Sequence, residues 1–160
     1  MAELGCGPGV GLASLLLSFP AAEVTGLDLS PRMVAQSSRR NRAELNSGRL
    51  RVEVGGVDEL RGPYDLVVAV HVLYFLADPV AILGQVRAAL APGGLIALGY
   101  RCRQEMPALS QRDFPAEGHR LYDDERDVEA VLTAAGFRNV GSRVMGPPGP
   151  ILGRLSIGGA

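Results

Sequence analysis

The chain is expected to fold as a doubly wound α/β domain around a mostly parallel sheet, and three features of the sequence predict it. Short apolar runs alternate with stretches whose apolar residues recur at helical spacing, the pattern of a parallel sheet covered by helices. A glycine-rich turn, Gly5-Cys6-Gly7-Pro8-Gly9, joins the first run to the first helix, and an acid, Asp28, closes the second run. Leu66-Val67-Val68-Ala69-Val70 is a continuous apolar run of the kind buried on both faces of a sheet.

The elements follow in order. Leu12, Leu15, Leu16 and Phe19 lie at helical spacing after the glycine turn, so a first helix runs to about Ser18 and stops before Pro20. Glu23-Val24-Thr25-Gly26-Leu27-Asp28 is the second strand. Ser30-Pro31 is an N-cap followed by proline at the first helical position; the helix it opens carries Met33, Val34 and Ala35 and is expected to end near Gly48. Leu50, Val52 and Val54 alternate as a third strand, and the run at 66–70 is the fourth. Asp78-Pro79 repeats the cap-then-proline device for a helix buried through Ile82, Leu83, Val86, Ala89 and Leu90 and closed by Gly93-Gly94, with a fifth strand from Leu95 to Tyr100. Residues 101–122 read as one long loop. Asp123 or Asp124 caps a last helix carrying Val128, Val131, Leu132 and Ala135, with Gly136 just beyond it. Two strands remain, at 139–145 and 151–157, and their connector at 146–150 is too short for a crossover helix, so they pair antiparallel.

With 160 residues, 47% of them apolar, one hydrophobic core and a single domain over 1–160 are expected. A net charge of -1 provides no global field for a polyanion, so nucleic acid is not implied. The local run Arg32, Arg39, Arg40, Arg42, Arg49 and Arg51 reads as a solvated helix face. No apolar run is long enough for a membrane span and no secretory leader is visible, so no membrane partner is expected and a cytoplasmic location is the default. Cys6 and Cys102, far apart in sequence, suggest neither a disulfide framework nor a metal site.

The glycine turn carries the functional signal. Glycines let the backbone bend sharply and approach a ligand where a Cβ would collide, and an acid at the end of the next strand can accept hydrogen bonds from two ribose hydroxyls. An adenosine-bearing cofactor is the expected ligand. A dinucleotide fingerprint needs G-x-G-x-x-G, but from Gly5 the third glycine falls on Val10 and from Gly7 on Leu12.

Glu3-Leu4-Gly5-Cys6-Gly7-Pro8-Gly9 instead resembles motif I, acid-x-G-x-G-x-G, of the class I S-adenosylmethionine-dependent methyltransferases of the small-molecule type. Further segments are similar to that family in the same order: Gly26-Leu27-Asp28-Leu29-Ser30-Pro31-Arg32-Met33 at the second strand, Tyr64 to Leu73 around the fourth, and Leu90-Ala91-Pro92-Gly93-Gly94 before the fifth. The resemblance implies a Rossmann-like seven-stranded sheet of order 3-2-1-4-5-7-6 whose last strand is antiparallel. It implies S-adenosylmethionine as cofactor and a small-molecule methyl acceptor as partner.

Residue by residue, the resemblance carries cofactor binding onto Glu3, Gly5, Cys6, Gly7, Gly9, Asp28, Leu29 and Met33, with Asp28 on the ribose and Leu29 against the adenine. After the third strand relatives often carry Gly-Asp-Ala, whereas Gly55 or Gly56 and Val57 stand here, so adenine recognition falls to Gly56, Val57 and Asp58 or to a backbone group. His71, at the end of the fourth strand, is the candidate general base; the competing reading is that it only lines the cofactor pocket. Tyr74, Tyr100, His119 and Tyr122 could face the same crevice or merely pack. Cys6 reads as a small side chain that fits a tight turn rather than a nucleophile.

Only Met1 and Ala2 precede Glu3, so the first strand is expected to be short and the usual N-terminal roof truncated; a fragment, or a homodimer supplying the missing surface, would account for it. Two other readings therefore stand beside an active methyltransferase: a non-catalytic protein of the same fold, and a nicotinamide enzyme, which the glycine spacing disfavours.

Overall fold

The computed structural model describes residues 1–113, 120–146 and 153–160. Seven strands form one sheet: β1 (Ala2–Leu4), β2 (Val24–Asp28), β3 (Leu50–Val54), β4 (Tyr64–Val70), β5 (Leu90–Tyr100), β6 (Arg138–Met145) and β7 (Gly153–Gly159). Their order is β3-β2-β1-β4-β5-β7-β6. The first five pair parallel with one another, and β7 runs antiparallel to both β5 and β6. The expected Rossmann-like order and the reversed last strand are both present.

Strand alternation sends side chains to two cores. Ala2, Leu4, Leu27, Val67, Ile96 and Leu98 join the larger cluster, which α4 (Pro79–Ala88) and α6 (Glu125–Ala134) cover with Leu83, Val86, Val128 and Leu132. Cys6, Leu12, Leu16, Val24 and Leu50 form the second, beneath α1 (Val10–Ser18). Short as it is, β1 is fully buried between β2 and β4, with Glu3 opposite Gly26 on one side and Val68 on the other.

The caps are where the sequence places them. Ser30 Oγ accepts from Met33 N, Asp78 Oδ1 from Ala81 N, and Asp124 from the amides of Arg126 and Asp127, each satisfying first-turn donors that have no partner within the helix.

Four local expectations need correction. The helix expected to run to Gly48 is two, α2 (Pro31–Arg40) and α3 (Arg42–Asn46), broken at Asn41, whose buried amide donates to Gly9 O (3.0 Å) and Ser37 O (3.1 Å). Helix α4 ends at Ala88, and Gly93-Gly94 does not close it. These glycines lie inside β5, at the bulge where its register against β4 slips; a Cβ on Gly94 would come within 2.8 Å of Tyr64 O. Residues 101–122 contain a 3-10 turn (Arg103–Glu105) and α5 (Ala108–Asp113). The final strand spans Gly153–Gly159 rather than 151–157; residues 151 and 152, and 147–150 of the connector, lie outside the described residues.

The arginine run is also more than a solvated face. Arg40 Nε donates to Pro8 O at 2.9 Å, and Arg49 binds Glu44 and the carbonyls of Leu16 and Phe19. Among the described residues no helix is long and apolar enough to cross a membrane.

Candidate functional site

The carboxyl ends of β1, β2 and β4 meet at one cavity of about 440 Å³, within the range of small-molecule sites. Its floor is the glycine turn. Gly5 has φ +63°, and a Cβ there would lie far inside van der Waals contact with Val72 Cγ2, so backbone rather than side chain faces the cavity. Asp28 ties this turn to the second strand: its Oδ2 accepts from Gly7 N at 2.8 Å and its Oδ1 from Ser30 N at 2.9 Å. The carboxylate is thus fixed beside the bend, and each oxygen keeps a second lone pair for a ligand.

Leu29 from the β2 end and Gly56, Val57 and Asp58 from the turn after β3 form one wall, and His71 stands on the other. Leu29 is 79% exposed and Phe75 50% exposed, although both line the cavity. Large apolar side chains left open at a concave site suit a ligand with an apolar face.

Of the expected binding residues, Gly5, Asp28, Leu29, Gly56, Val57, Asp58 and His71 come together on the cavity lining, and Glu3, Cys6, Gly7, Gly9 and Met33 stand outside it. Gly7 holds Asp28, Gly9 is the N-cap of α1, and Met33 is half-buried in the first turn of α2. Cys6 is buried, and burial, then the charges of Asp28 and Glu3, push its thiol up to about 11, so it carries no thiolate at neutral pH. Glu3 is buried under α1, its carboxyl filling the space beside Gly11.

His71 adopts φ 58°, rare for a residue with a Cβ. Its amide donates to Gly99 O at 2.8 Å, and its ring stacks on Tyr74, with Nδ1 3.3 Å from the phenol oxygen. Burial and then the charge of Arg101 lower its pKa, so the imidazole is neutral at pH 7. Tyr74 in turn accepts from Arg101 N at 2.5 Å and lies within 3.2 Å of Arg101 O. When the phenol proton goes to that carbonyl, Nδ1 of His71 carries the ring proton and Nε2 the lone pair.

The other aromatic candidates separate. Tyr100 is buried and bonded to Ser156 Oγ (2.8 Å), and Tyr122 is buried in the larger core, so both pack; His119 lies outside the described residues. Sequence reasoning missed Phe75, Leu76 and Ile82, which reach the cavity from the turn after β4 and from α4, and it missed Arg101 just beyond β5, which stands outside the lining but is bonded through its backbone to Tyr74, the residue under His71. Their signal was position: the apolar residues follow a strand end at the ligand-binding edge of the sheet, and Arg101 is the first residue after a strand. Among the described residues no cluster of three or more His, Cys, Asp or Glu could hold a metal.

The family model described as "Methyltransferase domain" matches residues 2–96, covering the glycine turn, Asp28 and β4. The chain belongs to this family, with the class I fold. It is 36% identical over 142 residues to a trans-aconitate 2-methyltransferase of Deinococcus radiodurans, covering 84% of this chain and 53% of that protein. Against the protein of the same name from Streptomyces avermitilis it is 31% identical over 145 residues, covering 86% and 53%. The chain therefore spans about half the length of these curated relatives. A solved Haemonchus contortus phosphoethanolamine N-methyltransferase 2, in complex with S-adenosyl-L-methionine, superposes on 99% of this chain and 48% of its own, with a TM-score of 0.78 at 15% identity, a likeness of fold.

Proposed function

We propose that the methyltransferase chain binds S-adenosylmethionine in the cavity and carries out methyl transfer to a small-molecule acceptor, in a cytoplasmic setting that suits its two unbridged cysteines. The observation that carries this reading is the contact between Asp28 and the glycine turn, which puts a fixed carboxylate and open backbone at one end of an apolar cavity. The residues fit an adenosyl group: Asp28 has lone pairs left for ribose hydroxyls, Leu29 and Val57 offer apolar surface for a base, and Gly5 leaves room that a Cβ would take. When bound, this cofactor supplies a methyl group on a positively charged sulfur, already electrophilic.

What remains for the chain is placement and the exclusion of water. Val70, Phe75, Leu76 and Ile82 give the cavity an apolar side, and His71, neutral at pH 7, adds no competing positive charge. The relatives' name supports a polycarboxylic acid as the acceptor class. A carboxylate oxygen is already deprotonated at neutral pH, so His71 need not act as a base on such an acceptor. It then serves as a wall and as the anchor of Tyr74.

Calorimetric titration with S-adenosylhomocysteine and with NAD, side by side, tests the reading. Micromolar binding of the first alone is expected. Asp28→Ala should weaken it by about 1–3 kcal/mol, roughly 5- to 150-fold, as for lost charge-assisted hydrogen bonds. Asp28→Asn should not restore it, because Gly7 N and Ser30 N approach different oxygens, and in asparagine one of these is an NH2 that can only meet a donor with a donor. Preference for NAD would overturn the assignment.

A further inference from the structure

We propose that Arg101 is the residue that binds the acceptor's anionic group, so that the acceptor lies on the β4–β5 side of the cavity between His71 and Arg101; this rests on the methyltransferase reading above. The sheet order sets out the division. Asp28, His71 and Arg101 stand at the carboxyl ends of β2, β4 and β5, with β1 and its glycine turn between the first two. At about 4.8 Å per strand, roughly 14 Å separate the β2 and β5 lines. The acid and the cation are thus held apart: one wing is left to a nucleoside, the other to a second molecule.

Arg101 is held in place by its backbone, and its guanidinium is left without a hydrogen-bonded partner among the described residues. Both its backbone N–H and its C=O meet the Tyr74 phenol, while the guanidinium of this half-buried residue makes no hydrogen bond or ion pair with a described residue. Its neighbours are used differently. Arg103 pairs with Asp123, and Arg154 pairs with Glu105 and Glu125. Glu105, the acid whose charge Arg101 feels, is already committed, with Oε1 on Arg154 and Oε2 on Cys102 N. Arg101 stands outside the cavity's lining, yet its charge is felt by His71, which lines the cavity, and by Tyr74 stacked beneath that ring, as well as by Glu105. A half-buried guanidinium with no hydrogen-bonded partner among the described residues gains most when a ligand completes it, and its planar fork matches a carboxylate in two parallel hydrogen bonds.

The test is calorimetry on the full chain, first with S-adenosylhomocysteine and then, on the loaded chain, with the tricarboxylate trans-aconitate and its uncharged trimethyl ester as probes. Wild type should bind trans-aconitate and not the ester. Arg101→Gln should weaken trans-aconitate binding at least tenfold and leave the S-adenosylhomocysteine affinity within twofold, and Arg101→Lys should recover part of the loss. A merely structural role would not follow charge in this way. Equal binding by wild type and Arg101→Gln, or no uptake of trans-aconitate by the wild type, would overturn the proposal. Failure to bind S-adenosylhomocysteine would instead overturn the methyltransferase reading, and trans-aconitate titrated into free wild type and free Arg101→Gln would still decide the anion site.

Discussion

Changing Glu3 to glutamine should make the chain markedly more heat-stable at pH 8 while barely altering it at pH 4.5. Glu3 is 3% exposed in the middle of β1, and its Oε2 has no hydrogen-bond partner. Burial raises its pKa from 4.5 to about 7. The folded chain therefore holds this proton more tightly than the unfolded chain does. Stability from the site is complete below about 4.5 and is lost as pH rises toward 7. At 1.36 kcal/mol per pH unit that interval costs about 3 kcal/mol, a large share of a typical domain stability of roughly 5–15 kcal/mol. Glutamine has nearly the same shape and cannot ionise, so its melting temperature should not follow this titration. At roughly 2–4 °C per kcal/mol the two proteins should differ by about 6–12 °C at pH 8. Coincident thermal melts at that pH would mean that Glu3 is paired or hydrated in solution.

The second large effect is expected at the floor of the cavity. Gly5→Ala should destabilise the chain by about 2–5 kcal/mol, since two independent costs meet there. A left-handed φ of +63° carries roughly 1–2 kcal/mol for a residue with a Cβ. The added methyl would also overlap Val72, and overpacking of this kind costs about 1–3 kcal/mol. Gly7 separates the two: its φ is +52° but no atom lies within 4 Å of an added Cβ, so Gly7→Ala should show only the backbone cost. Val72→Ala in the Gly5→Ala background should return the steric part and leave the rest. Urea denaturation of the four proteins measures both. A Gly5→Ala protein as stable as Gly7→Ala would mean that Val72 gives way freely.

Which features the sequence disclosed follows from the range of the forces involved. Ser30-Pro31, Asp78-Pro79 and Asp124 announce helix starts because a cap acts within three residues. The alternation of strand and helix, together with the motifs at Gly5, Asp28 and Tyr64, implied the sheet order. Asn41 could not be read as a break: the bond that makes it one reaches Gly9, thirty-two positions away. Gly93-Gly94 fits a helix stop on local rules, and only pairing with β4 turns the pair into a bulge. Within the site, residues on strand ends were legible, since an open sheet binds at its carboxyl edge. That the Arg101 guanidinium makes no hydrogen bond with a described residue was hidden, because Glu105, four positions on, turns its oxygens to Arg154 of β7 and to Cys102 N.

The position of β7 orders assembly in time. This strand slots between β5 and β6, and through Arg154 it also fastens Glu105 and Glu125, which flank the stretch following Arg101. As the chain leaves the ribosome, the part of the sheet from β1 to β4 can close on itself while β5 still shows a bare edge. The β5 side must wait for residues 153–159, whose partners in β5 lie some sixty positions back, and pairings that distant form slowly. The Asp28 end of the cavity would then be complete before the Arg101 end exists.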